Sequence, residues 1–454
     1  MKTLLKPLSL ALFVAATLPT QSAYIRTSPP ANTIIPTTSP SPHFCKAIGG
    51  KKLEGALSLI QTSDGGYAIT GGTESFGAGG EDVYVVKLDA NGNLQWTKTI
   101  GGPESEEGVS LIQTSDGGYA IAGLTQSFGA GEDDVYVVKL DANGNLQWTK
   151  TIGGKKEDGG FSLIQTSDGG YAIAGYTFSF GAGEADVYVV KLDANGKLQW
   201  TKTIGGPGNE IGFSLIQTSD GGYVLAGTTE SFGVGGSDVY IVKLDANGNL
   251  QWTKTIGRPG NEIGFCLIQT SDSGYVIAGS TTSFGIGGVD VYVVKLNANG
   301  NLQWTTTIGG KEEDVGVSLI QTSDGGYAIA GSTKSFGAGE WDVYVVKLNA
   351  NGKPQWTKTI GTKNEKFIKS SIIQTSDGSY VFAGTTRSFG AGDYDVYVVK
   401  LDKNGDACCA VSQTSQVGTG GTLSSPTSSI GSGGTLTAPT SSTSSGGTLT
   451  NQCP

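Results

Sequence analysis

The sequence predicts an all-β fold, a seven-bladed β-propeller with four antiparallel strands in each blade. Three observations predict it. A unit of about 52 residues recurs seven times, each copy holds four short runs rich in Val, Ile, Tyr and Thr, and tight-turn sequences separate the runs. No stretch of useful length shows the apolar periodicity of a helix. Repeats of this length with four strands per copy are typical of propellers.

The repeat length is read from positions that recur in every copy. The aspartates of the Q-T-S-D and D-V-Y motifs return every 52 residues, with a last interval of 53. The one extra residue of the seventh copy therefore falls between Ile360 and Asp377. The tryptophans of the first six copies follow the same spacing: Trp96, Trp148, Trp200, Trp252, Trp304 and Trp356.

The strands are predicted from β-forming runs bounded by turn residues. Residues 115–118 (S-D-G-G) and 141–144 (D-A-N-G) tolerate positive φ and close tight hairpins in the second copy. The four strands predicted for that copy are Val109–Thr114, Tyr119–Thr125, Val135–Asp141 and Leu146–Ile152.

The two ends of the array favour a closed ring over a linear β-solenoid, which would need a cap at each end. The segment Phe44–Ile48 stands one period before the Trp96 strand, ahead of the first complete copy. The seventh copy has three strands but no tryptophan, and Cys409 occupies that position. We predict that the N-terminal strand completes the seventh blade, which satisfies both strand edges.

Outside the repeats the chain has three further regions. Residues 1–23 are typical of a signal peptide, because Lys2 and Lys6 precede an apolar run that is too short to span a bilayer. Residues 24–43 form a linker, 44–410 the propeller, and 411–454 a Ser/Thr/Gly-rich tail that we expect to be disordered. The expected localisation is secreted, periplasmic or cell surface, and the tail could tether or cross-link the protein.

Charge and hydropathy exclude two classes of partner. The net charge is −10, and loss of a signal peptide with two lysines and no acid makes it −12. An acidic surface repels phosphate backbones, so we do not expect nucleic acid as a partner. No later segment is apolar enough for a transmembrane span.

The repeat Q-T-S-D-G-G-Y-x-I-A-G-x-T … D-V-Y-V-V-K-L-D-A-N-G-N-L-Q-W-T-K-T-I-G-G resembles the repeats of secreted bacterial and archaeal β-propeller proteins, whose functions are mostly undefined. The resemblance covers roughly Phe44 to Ala410. It implies the propeller fold but no particular activity, because propellers host lyases, hydrolases, lectins and scaffolds alike.

Residues suited to catalysis are scarce. The one histidine, His43, precedes the ring, which excludes Ser-His-Asp and Cys-His sites within the repeats. The turn at 89–93 lacks the later acid and the length of a calcium loop, so we expect neither a metal nor a cofactor. A non-enzymatic binding scaffold is therefore favoured. The alternative is a carboxylate- or Tyr-dependent lyase or hydrolase that acts on polysaccharide at the channel mouth.

An acidic residue recurs just before the first strand of six copies. These carboxylates could form a charged ring around one mouth of the channel and bind a cation, or they could bond backbone amides where the chain crosses between blades. The residues are Glu54, Glu106, Asp158, Glu210, Glu262 and Asp314. In the seventh copy the position falls on Lys366 or Phe367.

The copies differ mainly in two loops, which a four-stranded blade places at the same end. We name these loops the variable face: the crossing loops (51–57 and equivalents) and the loops between the second and third strands (74–81 and equivalents). On this face Trp341 and Tyr394 precede D-V-Y in the last two copies, and Lys334 and Arg387 precede S-F-G. Aromatic residues beside cations are frequent binding anchors. We predict that this face binds a protein or glycan.

Lys87 and its six equivalents are predicted to be structural. A two-residue Asn-Gly turn would place Lys87 opposite Trp96, with its ammonium over or beside the indole.

Export would allow disulfides, and four of the five cysteines flank the array. We predict that Cys45 pairs with Cys408 or Cys409, that the other pairs with Cys453, and that Cys266 stays a buried free thiol.

Overall fold

The computed structural model describes residues 43–337, 340–361, 370–387, 390 and 393–407, and four short strands between 429 and 452. The predicted signal peptide and most of the linker lie outside these residues. The described part of the chain contains no helix long and apolar enough to cross a membrane.

Seven antiparallel sheets form the blades of the predicted propeller. Blade 7 takes its outer strand from the N-terminus, β1 (Cys45–Ile48). Blade 1 contains β2 (Ser58–Gln61), β3 (Tyr67–Thr73), β4 (Asp82–Leu88) and β5 (Leu94–Gly101). Blade 2 contains β6 (Glu106–Gln113), β7 (Tyr119–Thr125), β8 (Asp134–Leu140) and β9 (Leu146–Gly153). Blade 3 contains β10 (Asp158–Gln165), β11 (Tyr171–Thr177), β12 (Asp186–Leu192) and β13 (Leu198–Gly205).

The remaining blades follow the same plan. Blade 4 contains β14 (Glu210–Gln217), β15 (Tyr223–Thr229), β16 (Asp238–Leu244) and β17 (Leu250–Gly257). Blade 5 contains β18 (Glu262–Gln269), β19 (Tyr275–Thr281), β20 (Asp290–Leu296) and β21 (Leu302–Ile308). Blade 6 contains β22 (Asp314–Gln321), β23 (Tyr327–Thr333), β24 (Asp342–Leu348) and β25 (Pro354–Ile360). Blade 7 contains β26 (Ser370–Gln374), β27 (Tyr380–Thr386) and β28 (Asp395–Leu401) besides β1.

The first strand of each blade lies beside the first strands of its neighbours and is therefore the innermost, while the fourth strand is at the outer edge. The core lies between neighbouring blades, because both faces of every sheet are covered by another sheet. Between blades 2 and 3, for example, Tyr171, Tyr188 and Leu192 pack on Ala120 and Val135. Each such layer buries the β-branched and aromatic residues that the repeat supplies.

The N-terminal strand closes the ring, as predicted. Strand β1 pairs antiparallel with β28, with Cys45 opposite Val399. The carbonyl of Phe44 accepts a hydrogen bond of 2.9 Å from the Lys400 amide. Ala56 of blade 1 packs in one apolar cluster with residues of blade 7, so the ring has no gap between its ends.

The Asn-Gly hairpin differs from the predicted two-residue turn. The Asp89 amide donates to the Asn93 carbonyl at 2.9 Å, and Gly92 has φ 76°, so the loop is one residue longer. A β-bulge between Lys87 and Leu88 in the pairing restores the register, and Lys87 does lie opposite Trp96.

The structural role predicted for the lysine is retained, but the partner of its ammonium was not predicted. The Nζ atom of Lys87 binds the carboxylate of Asp64 at 2.9 Å. The Trp96 ring packs edge-on against Tyr119 of blade 2, with centroids 5.7 Å apart. A buried ammonium is stabilised more by a paired carboxylate than by the face of an aromatic ring.

Strands in the C-terminal tail extend four of the sheets. They are β29 (Ser429–Gly431), β30 (Thr435–Thr437), β31 (Ser442–Ser444) and β32 (Thr448–Gln452). They pair antiparallel with the outer strands of blades 4, 3, 2 and 1 in that order. The expectation of a disordered tail does not describe these segments, and the rest of the tail lies outside the described residues.

Candidate functional site

The two loop types of the variable face are hydrogen-bonded to each other across blade boundaries. The Gly80 amide, between the second and third strands of blade 1, donates to the Glu104 carbonyl of the next crossing loop at 3.0 Å. The Glu106 amide donates to the Glu81 carbonyl at 2.7 Å. The predicted grouping of these loops on one side of the ring is therefore present, and the backbone holds it.

Blade 6 carries a cation stacked on an aromatic ring. Lys334 follows strand β23 and Trp341 directly precedes β24, so both stand at the two ends of one loop. The Lys334 Nζ atom lies 4.5 Å from the centroid of the Trp341 ring. The same atom lies 2.7 Å from the Glu313 carboxylate in the crossing loop. Lys334 is exposed and Trp341 is half-buried.

Blade 7 carries the equivalent pair. The guanidinium carbon of Arg387 lies 5.9 Å from the centroid of the Tyr394 ring. The Tyr394 carbonyl accepts a hydrogen bond of 2.9 Å from the Glu54 amide, which ties this loop to blade 1. The structure thus brings the four residues together as two cation–aromatic pairs at equivalent places on neighbouring blades.

A third pair on blade 5 was not predicted. The guanidinium carbon of Arg258 lies 5.1 Å from the centroid of Phe284, the aromatic residue of the S-F-G turn. The sequence carried a signal, since this copy reads I-G-R-P-G where most copies begin I-G-G. Three consecutive blades therefore each hold a cation against an aromatic ring.

An aromatic arc on the inner strands of blades 3 to 5 was also missed. Phe161, Phe213 and Phe265 are half-buried, and the centroids of neighbouring rings are 5.6 and 5.3 Å apart. Tyr176 continues the arc with its ring centroid 5.3 Å from that of Phe161, and the Phe178 centroid lies 5.8 Å from that of Tyr176. Smaller apolar residues occupy the corresponding position in other copies, namely Leu57, Val109 and Val317.

The six recurring acids are fully buried. In blade 1 the Glu54 carboxylate accepts hydrogen bonds from the Thr73 hydroxyl at 2.9 Å, from the Ser75 amide at 3.2 Å, and from the Gly50 amide. Glu106 binds Thr125 and Ser127 in the same way. The geometry favours the second interpretation of these residues, in which they bond the crossing chain. It gives no support to their assignment as a ligand-binding ring, because no carboxylate oxygen is left at the surface.

Each of these acids lies near the aspartate of a neighbouring D-V-Y motif, with one glycine between the two carboxyl groups. A Cβ atom on Gly101 would lie 2.1 Å from Asp82 Oδ1 and 2.5 Å from Glu106 Oε2, so a side chain at this position would have to displace both carboxyl groups. Burial, together with the nearby charge of Glu262, raises the pKa of Asp238 to about 6. These are paired buried carboxyl groups, and one partner is expected to hold a proton more readily than an exposed aspartate.

No cluster of three or more metal-ligating side chains is found in the described ranges. Cys266 is a free thiol, half-buried rather than fully buried, and its Sγ atom contacts the Ala278 carbonyl at 3.5 Å. Cys45 is disulfide-bonded. Its predicted partners Cys408 and Cys409, and also Cys453, lie outside the described residues, so the pairing stays a prediction.

Comparison with known proteins identifies a family, a distant relative and solved structures that are similar at low identity. The family model PQQ_2, described as outer membrane protein assembly factor BamB, matches residues 133–437. The regulatory protein FlaEY of Caulobacter vibrioides is 25% identical over 76% of this chain. The match covers only 39% of that relative's own length.

Two solved structures are similar at low identity. A protein of unknown function from Dyadobacter fermentans is 12% identical, with a TM-score of 0.42 over 64% of this chain and 93% of that one. The polysaccharide lyase Uly1 is 10% identical, with a TM-score of 0.46 over 78% of this chain and 91% of that one. At these values the similarity supports no argument about function.

Proposed function

The chain belongs to the PQQ_2 family of propeller repeats, and from this premise we propose that it is an exported, non-enzymatic scaffold that binds a protein or glycan through its variable face. The proposed location is secreted, periplasmic or cell surface, where the proposed partner would also be found. The ligand would carry anionic groups beside a flat apolar surface.

The cation–aromatic pairs of blades 6 and 7 carry the proposal. Arg387 and Lys334 are exposed, and the rings beneath them are half-buried between loop and strand. A cation held over a ring loses little freedom on binding, because its side chain is already ordered. An anionic group reaching either cation would also contact the ring edge. Trp and Arg are the side chains that most often dominate binding energy.

The distribution of charged residues on the variable face supports binding of a partner in one orientation. The residue before S-F-G is Glu74 in blade 1 and Glu230 in blade 4, but Lys334 and Arg387 in blades 6 and 7. The two cations stand in a protein with a net charge of −10, and Lys334 is itself paired with Glu313. We infer that the two cations orient an anionic group of the partner towards blades 6 and 7.

The burial of the carboxylates supports a binding role over catalysis. The acids that could act on a polysaccharide, such as Glu106 and Asp158, are 1% and 0% exposed and accept hydrogen bonds from the crossing-chain amides of Gly102 and Gly154. The tyrosines of the D-V-Y motifs, such as Tyr136, are also buried in the core. The relative FlaEY is named a regulatory protein, which agrees with a role in binding.

The test is a screen of the purified protein against acidic and neutral polysaccharides, with retention and product formation measured on the same samples. We expect retention on at least one acidic polymer, weakened by salt, with no new reducing ends and no unsaturated sugar. Depolymerisation of any polymer would contradict the scaffold and support the lyase or hydrolase alternative. Binding to a single envelope protein in the absence of any polymer, lost on Trp341→Ala with Tyr394→Ala, would identify a protein ligand instead.

A further inference from the structure

The aromatic arc ends at the variable face of blade 3 in a group of three rings. We name Phe161, Tyr176 and Phe178 the aromatic corner. The rings of Tyr176 and Phe178 meet at 81° with centroids 5.8 Å apart, and the Phe161 centroid lies 5.3 Å from that of Tyr176. Phe161 and Phe178 are half-buried, while Tyr176, which contacts both, is only 7% exposed. Rings set at right angles can present their negative faces and a buried wall to one cation.

The backbone of blade 3 makes room for the tyrosine. Tyr176 lies opposite Gly159 in the pairing of β10 with β11. A Cβ atom on Gly159 would lie 2.5 Å from the Tyr176 ring and 2.6 Å from the Leu124 side chain of blade 2, so the ring fills the space that a side chain would take. In blades 4 to 6 the same pair has the large residue on the inner strand: Ile211 with Thr228, Ile263 with Ser280, and Val315 with Ser332.

Carboxylates of blades 2 and 3 lie around the aromatic corner. The Glu157 carbonyl accepts a hydrogen bond of 2.9 Å from the Phe178 amide, which places this acid beside the phenylalanine. Burial raises the pKa of Tyr176 well above its usual range, and nearby negative charges raise it further; these are Asp133, Glu157, Asp158 and Glu107. The rings of the corner therefore stand in a negative field, which attracts a cation.

Blade 6 shows what the same loop positions do when the chain supplies its own cation. Lys334 has the position of Phe178 and Glu313 that of Glu157, because the same amide-to-carbonyl hydrogen bond joins the two residues in each blade. The Lys334 ammonium lies 2.7 Å from the Glu313 carboxylate and 4.5 Å from the centroid of Trp341. Blade 3 retains the acid but has a phenylalanine in place of the lysine.

We propose that the aromatic corner binds an organic cation, a quaternary ammonium group, from outside the chain. The alkyl groups of the cation pack on Phe161, Tyr176 and Phe178, and Glu157 balances its charge as Glu313 balances that of Lys334. The rings favour an alkylated ammonium over a small inorganic cation, because they do not replace the water that a strongly hydrated ion would lose. The site goes beyond the proposed function and does not depend on it, since the pairs of blades 6 and 7 attract an anionic group.

Isothermal titration of the full-length mature protein with choline tests the site. The reference ligands are ammonium chloride and the neutral analogue of choline in which a tert-butyl group replaces the trimethylammonium group. We expect choline to bind at least about tenfold more tightly than either, because only choline combines a positive charge with an apolar surface.

Two substitutions place residues of other blades in the aromatic corner, so both are compatible with the repeat. Phe178→Lys introduces the residue of blade 6, and its ammonium should pair with Glu157 and abolish choline binding. Tyr176→Thr introduces the residue of blade 4 and should weaken binding at least about tenfold. Thr282→Lys adds the same charge at the equivalent position of blade 5, and this matched control should bind choline as wild type does.

Three results would overturn the proposal: no choline binding by the wild type, equal affinity for choline and its neutral analogue, or equal loss in Phe178→Lys and Thr282→Lys. The last would assign the effect to overall charge. An unchanged melting temperature shows that a variant is folded. Trp341→Ala with Tyr394→Ala should leave choline binding unchanged, so failure of this site and failure of the proposed function are told apart.

Discussion

The Nζ atom of Lys87 lies 2.9 Å from the carboxylate of Asp64, which ties the third strand of blade 1 to the turn between its first two strands. The lysine side chain is 3% exposed and the aspartate 55%. The same pair occurs in all seven blades: Lys139–Asp116, Lys191–Asp168, Lys243–Asp220, Lys295–Asp272, Lys347–Asp324 and Lys400–Asp377 complete the set.

Removing Asp64 should destabilise the protein more than removing Lys87. Burial tends to raise the pKa of Asp64, but hydrogen bonds from Thr62, Lys87 and the Gly66 amide hold it at about 2. Asp64→Ala leaves the buried ammonium bonded to the Leu88 carbonyl without a carboxylate, and because Asp64 itself is half-exposed we expect a cost of about 1–2 kcal/mol of unfolding free energy. Lys87→Met removes the charge and keeps the apolar stem, so we expect a smaller loss. Denaturant unfolding of both variants measures it, and the reverse order would be inconsistent with a buried ion pair.

The buried carboxyl pairs predict a stability maximum at mildly acidic pH. Asp238 has its pKa raised to about 6 in the folded protein, so its contribution is complete below its unfolded pKa near 4 and is lost as the pH rises through 6. Asp64 acts in the opposite sense, and its contribution is lost only as the pH falls towards 2. The melting temperature should therefore be higher at pH 5 than at pH 7.5.

The variant Asp238→Asn isolates this effect. Asparagine resembles the protonated carboxyl group, so the variant should be more stable than wild type at pH 7.5, by about 1–2 kcal/mol, and no more stable at pH 4.5. Thermal melts of both proteins across this range measure the difference. Equal pH dependence of the two proteins would show that folding leaves the pKa of Asp238 near its ordinary value, which would contradict the raised pKa.

The repeat made the blades predictable, because it fixes the number of strands, the positions of the turns, the extra strand before the first copy and the strand that the seventh copy lacks. The closure of blade 7 by β1 followed from that count alone. The extra residue in the hairpin at Asp89 could not be counted in advance, since the bulge beside Lys87 cancels it in the register. The turn residues are compatible with either loop length.

Side-chain contacts between residues that are far apart in the sequence could not be predicted from the repeat pattern. The Lys87 ammonium binds Asp64 because the adjacent hairpin brings this aspartate, 23 residues earlier in the chain, close to it. The stacking of Arg258 on Phe284 required knowing that the crossing loop lies over the S-F-G turn. The tail strands were missed because backbone pairing of Ser, Thr and Gly leaves no alternation of apolar residues.

A disulfide at Cys45 should lock the closed ring. Strand β1 pairs beside β28, and the chain continues from β28 through Ala407 towards the two adjacent cysteines. Non-reducing peptide mapping of the exported protein should recover the Cys45 peptide joined to Cys408 or Cys409. We expect Cys45→Ser to cost about 2–5 kcal/mol of unfolding free energy. A Cys45 peptide joined only to Cys266, or recovered as a free thiol, would refute this closure.

The variable face is tested most directly by the affinity of the full chain for the acidic polysaccharide that it retains. The account predicts that Trp341→Ala with Tyr394→Ala weakens binding at least about tenfold with little change in melting temperature. The matched control changes the same position on blades 4 and 5, Ser237→Ala with Val289→Ala, and should bind as wild type does. Equal affinity of the two double variants would contradict the assignment of binding to blades 6 and 7.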